Sequence, residues 1–312
     1  MLTGRAIAAR PVYFGGMRMR AALIALSLLC AGVVAGCGSA PHTTTSTVKR
    51  ATAPPPAGLR VGVVGLPDVK AVPGASIAAS GGTLARMPAY PLVVVSAQAA
   101  DVAAVEAVAA RHPTSHYVYV GGSTKGHRRS NLVGLVLDDA QAARLGGVVA
   151  GLVAAEQGGL AARVAWVGPE ETALAAAFTR GAQGAQPRTV VLRAWSTSLP
   201  AACKEAALGA IARGAVVVMA HGGLCADAAI AGAHQQNRVG LELSDFELTS
   251  VPISVVMGDA VAGVYRGGED IVFDASSGAI GVRRLDPRIS ADIGVRARTA
   301  AQQLSSGLRP SG

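Results

Sequence analysis

Between residues 60 and 243 short aliphatic runs recur, and most lead into a segment with helical spacing. "RVGVVG" (60–65) is closed by glycine. "PLVVVSA" (91–97) leads into "AADVAAVEAVAARH", whose apolar spacing predicts a helix ended by Pro113. "HYVYVG" (116–121) and "LVGLVL" (132–137) follow, then the helix "DDAQAARLGGVVAGLVAAEQ" (138–157), with Asp138 or Asp139 as its cap. "ARVAWVG" (162–168) precedes a helix near 170–183, and "RTVVLRAW" (188–195) one near 199–213. "AVVVMA" (215–220) precedes a helix at 224–235, and "RVGLEL" (238–243) leads to "VPISVVMGDAVAGVYRG" (251–267). Wholly apolar runs followed by helices predict an α/β fold, with parallel sheets covered by helices on both faces. Ligands in such folds sit beyond the carboxyl ends of the strands. The residues to weigh are therefore Ser96 and Gln98, Gly121 and Gly122, Trp195 and Ser196, His221, Gly222 and Gly223, and Glu242 to Asp245.

The start of the chain reads differently. Residues 21–35, "AALIALSLLCAGVVA", are uncharged and apolar, directly after "RMR" at 18–20. That describes an export signal, and the run falls short of the ~20 residues a membrane-spanning helix needs. Val34-Ala35-Gly36-Cys37 resembles the lipobox of bacterial lipoproteins, with Val where Leu is commoner. The expectation is a lipoprotein signal peptide over 1–36 and lipid on Cys37; the alternative is an ordinary or uncleaved signal that happens to contain a cysteine. Residues 37–58 then form a Ser/Thr/Pro-rich tether, too poor in apolar side chains to bury a core. The body would stand off the outer face of the membrane, at the cell surface or in the periplasm.

The body, 59–312, is long enough for two lobes: about 59–137 for the first, 138–267 mainly for the second, and 268–312 as a C-terminal segment. The net charge is +9, and losing Arg5, Arg10, Arg18 and Arg20 with the leader leaves about +5, spread along the chain. The only short basic cluster, "KGHRR" (125–129), lacks interleaved aromatics, so no nucleic-acid partner is expected. Of four cysteines, Cys30 lies in the signal and Cys37 takes lipid. Cys203 and Cys225 remain, as a disulfide or as two separate buried thiols. Both fall in the first turn of consecutive predicted helices, so they can meet if the preceding strands are neighbours.

"NLVGLVLDDAQAARLGGVVAGLVA" (131–154), "ARVAWVGPEETALAAAFTRGAQGA" (162–185), "WSTSLPAACKEAALGAIARGAVVVMAHGGLC" (195–225) and "RVGLELSDFE" (238–247) together resemble the basic membrane protein family, which includes purine nucleoside receptor lipoproteins. The resemblance implies a two-lobed type I periplasmic-binding-protein fold that captures a small polar solute, of nucleoside or sugar class, for an ABC importer permease or a sensor. Between the first two runs, 66–91 is shorter than the family's segment and lacks its "D-x-S-F-N" loop, so the N-terminal lobe is expected to be reduced. Gly240-Leu241-Glu242 matches the family's "GvD" with Glu for Asp, and Asp245 reaches the second acidic position only with one residue inserted.

Read chemically, Glu242 or Asp245 can accept two hydrogen bonds from ligand hydroxyls, or serve as turn and cap acids. Trp195 can stack on a ring or pack in the core. His221-Gly222-Gly223 sets a donor beside backbone N–H groups near a helix start, or forms a plain turn. A zinc site on Cys203, Cys225 and His221 matches no common spacing. His112 and His116 are separated by Pro113, and "GGSTKG" (121–126) is not in P-loop order. No nucleophile motif or obvious acid pair is present, so neither an enzyme nor a cofactor is expected. A binding-protein relative that has lost its ligand and serves as an envelope interaction module is the other reading; a cleft filled by apolar groups of 66–90 would favour it.

Overall fold

The computed structural model describes residues 58–81, 83–86, 90–159 and 162–307, all within one compact unit, Thr52–Gly312. The expected leader, Cys37 and the tether up to residue 57 lie outside the described residues. Among the described residues no helix is long and apolar enough to cross a membrane.

Two parallel sheets carry the fold. The first is built from β1 (Leu59–Val64), β2 (Ala75–Ser80), β3 (Leu92–Ser96), β4 (His116–Val120), β5 (Leu132–Leu137) and β10 (Asp270–Phe273), in the order β2-β1-β3-β4-β5-β10. The second runs β7-β6-β8-β9, from β6 (Arg163–Gly168), β7 (Val190–Trp195), β8 (Ala215–Ala220) and β9 (Val239–Glu242). Successive strand side chains point to opposite faces. In β3, Leu92 and Val94 therefore pack towards Ile253, Val256 and Met257, while Val93 and Val95 pack towards Val105, Val108 and Tyr117.

Helix α1 (Val102–Arg111) is capped by Asp101, which accepts from Ala104 N at 2.7 Å. Helix α2 (Asp139–Gly158) is capped by Asp138, which accepts from Gln141 N at 3.0 Å. Between Ala142 and Ala154 α2 is buried almost all round, as its lack of a polar face requires. It packs on the second sheet and against α3 (Thr172–Ala185) and α7 (Ala291–Ser305). The α2–α3 approach is close enough that a Cβ on Gly147 would collide with the Phe178 carbonyl, and one on Gly181 with that of Arg144. Helices α4 (Pro200–Ala212) and α5 (Leu224–Gln235) cover the opposite face of that sheet, where Cys203 and Cys225 are buried and form a disulfide.

The first lobe, expected to be reduced, carries a six-stranded sheet that includes a strand the sequence does not announce. Residues 75–80 form β2, paired with β1 alone, and their small, half-exposed side chains give no hydrophobic period. No helix joins β1 to β2, and only the 3₁₀ turn Leu84–Arg86 is described between β2 and β3. The lobe boundary also differs from the expected one. Helix α6 (Ser250–Val261) packs on the first sheet through Ile253, Val256 and Met257, and β10 extends that sheet beside β5. The chain thus crosses between lobes at Asp138, around Glu247–Thr249 and after Phe273, and α7 returns to the second lobe.

The Cys203–Cys225 bridge joins residues 22 apart. Closing a loop of that size restricts the unfolded chain by roughly 3 kcal/mol. A Cys203→Ser/Cys225→Ser variant is therefore expected to lose about that much in urea unfolding, and reductant should lower the wild type to the same midpoint.

Candidate functional site

The carboxyl ends of both sheets open into one cleft of about 1290 Å³. The first lobe contributes the β1–β2 loop from Gly65 to Lys70, Ser96 and Gln98 after β3, and Gly121 after β4. The second contributes His221 to Leu224 after β8, Asp227 in the first turn of α5, and Glu242 to Ser244. The floor comes from the crossings themselves, with Leu137, Asp139, Glu247 and Thr249, while Ile253 and Arg283 complete the wall.

Local sequence explains these placements. Gly65 has φ +73° and meets Ala99 so closely that no side chain fits between them, so the chain leaves β1 straight into the cleft wall. Gly222 and Gly223 also have positive φ values, of 106° and 54°. They turn the chain from β8 into α5, whose N-cap, Gly223, offers no side-chain hydrogen bond. The His221 imidazole lies 3.5 Å from the Glu171 carboxylate. Ser96 is buried and its hydroxyl accepts from Gln98 N at 3.2 Å, which fixes the turn after β3.

Of the residues singled out from sequence, the cleft brings together Ser96, Gln98, Gly121, His221, Gly222, Gly223 and Glu242 to Ser244, while Gly122 is not in its lining. Trp195 and Ser196 stand apart from it. They end β7, the edge strand beyond β6; Trp195 is half-buried against the α2–α3 side, and Ser196 lies 3.3 Å from the Cys203 sulfur. Asp245 is also turned away. Its carboxylate accepts from Glu242 N at 3.0 Å, within a reciprocal capping box, and from Arg284 Nε at 3.1 Å. With those bonds and a position 4% exposed, it is a structural acid.

Two acids on the cleft floor, Asp139 and Glu247, are not among the site residues expected from sequence. Asp138 takes the capping role, which leaves Asp139, one residue later, on the cleft floor. Glu247 reaches the same floor from the second crossing and Arg283 from the C-terminal segment. A second acid beside the cap of α2 was the only hint. Burial raises the Asp139 carboxyl, with His221 pulling the other way and Glu171 and Asp138 adding to the rise. Burial likewise raises Glu242, against a hydrogen bond from Ser244. Glu247 is pushed up to about 7, first by burial and then by Asp139 and Glu242, with Arg283 opposing.

A carboxyl raised in the folded state favours folding while it is protonated, and that contribution is lost as pH rises through about 7. Glu247→Gln, which cannot ionise, should therefore be more stable than wild type at pH 8, by about 3 kcal/mol. The gain should vanish below pH 4.5, the ordinary glutamate value. Urea midpoints across pH 4–9 would show it; a constant difference would remove Glu247 as the titrating group.

Neither the models of known protein families nor the sequences of curated proteins contain a match to this chain. Its structure is similar to solved ones. An ABC transporter solute-binding protein from Conexibacter woesei DSM 14684 superposes with a TM-score of 0.54 at 18% identity, over 80% of this chain and 97% of that one. One from Aeropyrum pernix K1 gives 0.52 at 16%, over 80% and 92%. A transcriptional activator of the comK gene from Bacillus halodurans gives 0.59 at 12%, over 81% and 100%. At such identities the likeness speaks to fold alone: the chain has an α/β, type I periplasmic-binding-protein-like fold.

Proposed function

We propose that this protein is an extracytoplasmic solute-binding protein, fastened to the membrane through lipid on Cys37, that captures a small polar molecule between its lobes and presents it to an ABC importer or a sensor. The observation that carries the reading is the open cleft at the carboxyl ends of both sheets, lined by charged and polar groups beside aliphatic ones, in a fold shared with two ABC transporter solute-binding proteins. The residues there offer hydrogen-bonding and charged groups rather than a nucleophile with its base, which suits binding rather than catalysis. The interaction-module reading would be favoured by a cleft filled by apolar groups of 66–90. Instead Leu66, Val69 and Val72 pack partly onto the first sheet, and the loop forms one wall of an open space. The sequence resemblance to the basic membrane protein family supports the same role. The nucleoside chemistry of that family finds less support, since Trp195 lies outside the cleft.

Ligand that binds only the folded state stabilises it by RT ln(1 + [L]/Kd), or ~2.7 kcal/mol at 100 times Kd. Thermal unfolding of the full chain against nucleosides, sugars, amino acids and amines should show such a shift with at least one class. No shift across the panel, in a cooperatively folded protein, would leave the interaction module as the better reading. Separately, Cys37→Ala should move the protein from the membrane to the soluble fraction of the expressing bacterium; retention at the membrane would rule out the lipid anchor.

A further inference from the structure

We infer that the solute is a small aliphatic cation carrying one or more ammonium groups, held by Asp139 and Glu247 on the cleft floor and by Glu242 at the end of β9. The inference rests on the reading of the cleft as a solute site.

The charge balance of the cleft is the first observation. Its lining carries the carboxylates of Asp68, Asp139, Asp227, Glu242 and Glu247 against two permanent cations, Lys70 and Arg283. A binding surface selects its partner by complementary potential, and a neutral sugar or base does not need this excess. The second observation is that these acids have few donors. Asp270 accepts from Ser123 and Thr124, and Asp286 from Gly240 N, His234 and Arg288. Among the described residues, the Asp139 and Glu247 side chains take part in no hydrogen bond or ion pair. Carboxylates withdrawn from bulk water require donors, and here donors must come from water or from the occupant of the cleft. The third observation is the apolar part of the wall. Leu66, Val69, Leu137 and Ile253 supply aliphatic surface, while no Phe, Tyr or Trp among the described residues lines the cleft. A nucleobase or sugar ring has no aromatic face to stack on, whereas a methylene chain has surface to bury.

The titration behaviour agrees. Glu247, pushed up to about 7, is faced by Asp139 of α2, Glu242 of β9 and Arg283 of the C-terminal segment. Asp138, Glu171 and His221 act on Asp139, while Asp227 and Asp245 act on Glu242. A cation seated among the three acids favours the ionised form of Glu247, so binding near neutral pH releases its proton. Below about pH 7 the ligand must displace that proton, and affinity falls.

Isothermal titration of the full chain with 1,4-diaminobutane, its neutral isostere 1,4-butanediol, ribose and adenosine tests this. The diamine should bind and the diol should not, and diamine affinity should fall about tenfold from pH 8 to pH 6, the effect of one proton with a pKa near 7. Glu247→Gln should weaken diamine binding about tenfold at pH 8 and abolish its pH dependence. Asp139→Asn, a second folded variant, should weaken it too. Diamine binding unchanged in both variants would overturn the assignment to these acids. Binding of the diol, ribose or adenosine in place of the diamine would overturn the cationic ligand while leaving a solute-binding protein. Binding of none of them, nor of any member of the wider panel above, would overturn both readings.

Discussion

The two lobes meet where the chain crosses three times, and the hydrogen bonds among those crossings set the geometry of the cleft. Asp138 N donates to the Phe273 carbonyl at 2.9 Å, tying the first crossing to the third. Gln141 joins the same pair through its side chain, donating to the Asp138 carboxylate and accepting from Ala275 N, each at 2.9 Å. The second crossing is tied to the chain beyond the third by Leu248 N donating to Ala279 O at 2.7 Å, and by the bridge between Glu247 and Ile280. The bonds from Asp138 N, Ala275 N and Leu248 N each satisfy a backbone group that lies outside the regular elements. Asp138 thus caps α2, anchors Gln141 and places Asp139 on the cleft floor in a single turn of chain.

The short segment between β1 and β3 leaves no room for a helix before β2. Residues 65–74 carry the chain from β1 to the parallel β2 without a helix, and their apolar side chains cover part of the sheet themselves. The cost is a less deeply buried edge, visible in the half-exposed β2. The consequence for the site is that a loop, with Asp68 and Lys70, forms this side of the cleft. In the second lobe helices cover both faces of the sheet, and its β8 and β9 ends supply the facing side of the cleft.

Strand and helix content was legible because buried parallel strands leave unbroken aliphatic runs, such as those of β3 and β8, followed by periodic segments. β2 was not, because "ASIAAS" holds one large apolar side chain on an edge strand that needs no more. α6 was visible as an apolar segment, yet both sheets offer apolar faces, and nothing in its residues says that it returns to the first. The site was half legible for a related reason. Looking just past each strand finds Ser96, Gln98, His221 and Glu242, whose strands are central or end beside the crossings. The same rule returns Trp195, which ends an edge strand outside the cleft, because strand order is not written in any one strand. Asp245 carries the right chemistry but is consumed by a capping box and Arg284. Glu247 and Arg283 meet only after the third crossing brings the C-terminal segment back.

Asp139 and Glu247 therefore lie at the structural pivot of the molecule rather than at the tips of its lobes. Asp139 begins the helix after the first crossing, and Glu247 sits in the second. Any rotation of one lobe against the other must be absorbed at these crossings, since they are the covalent links between them. A charge placed between Asp139 and Glu247 acts on two of the three links at once. Burial first of all holds both carboxyls above their ordinary values; Asp139 adds to the rise at Glu247, where Arg283 opposes it, and His221 opposes the rise at Asp139. An occupant that satisfies them relieves the repulsion at the point where the lobes are joined. Ligand charge and lobe geometry are in that sense coupled through the same two side chains, without a separate relay between a binding surface and a distant hinge.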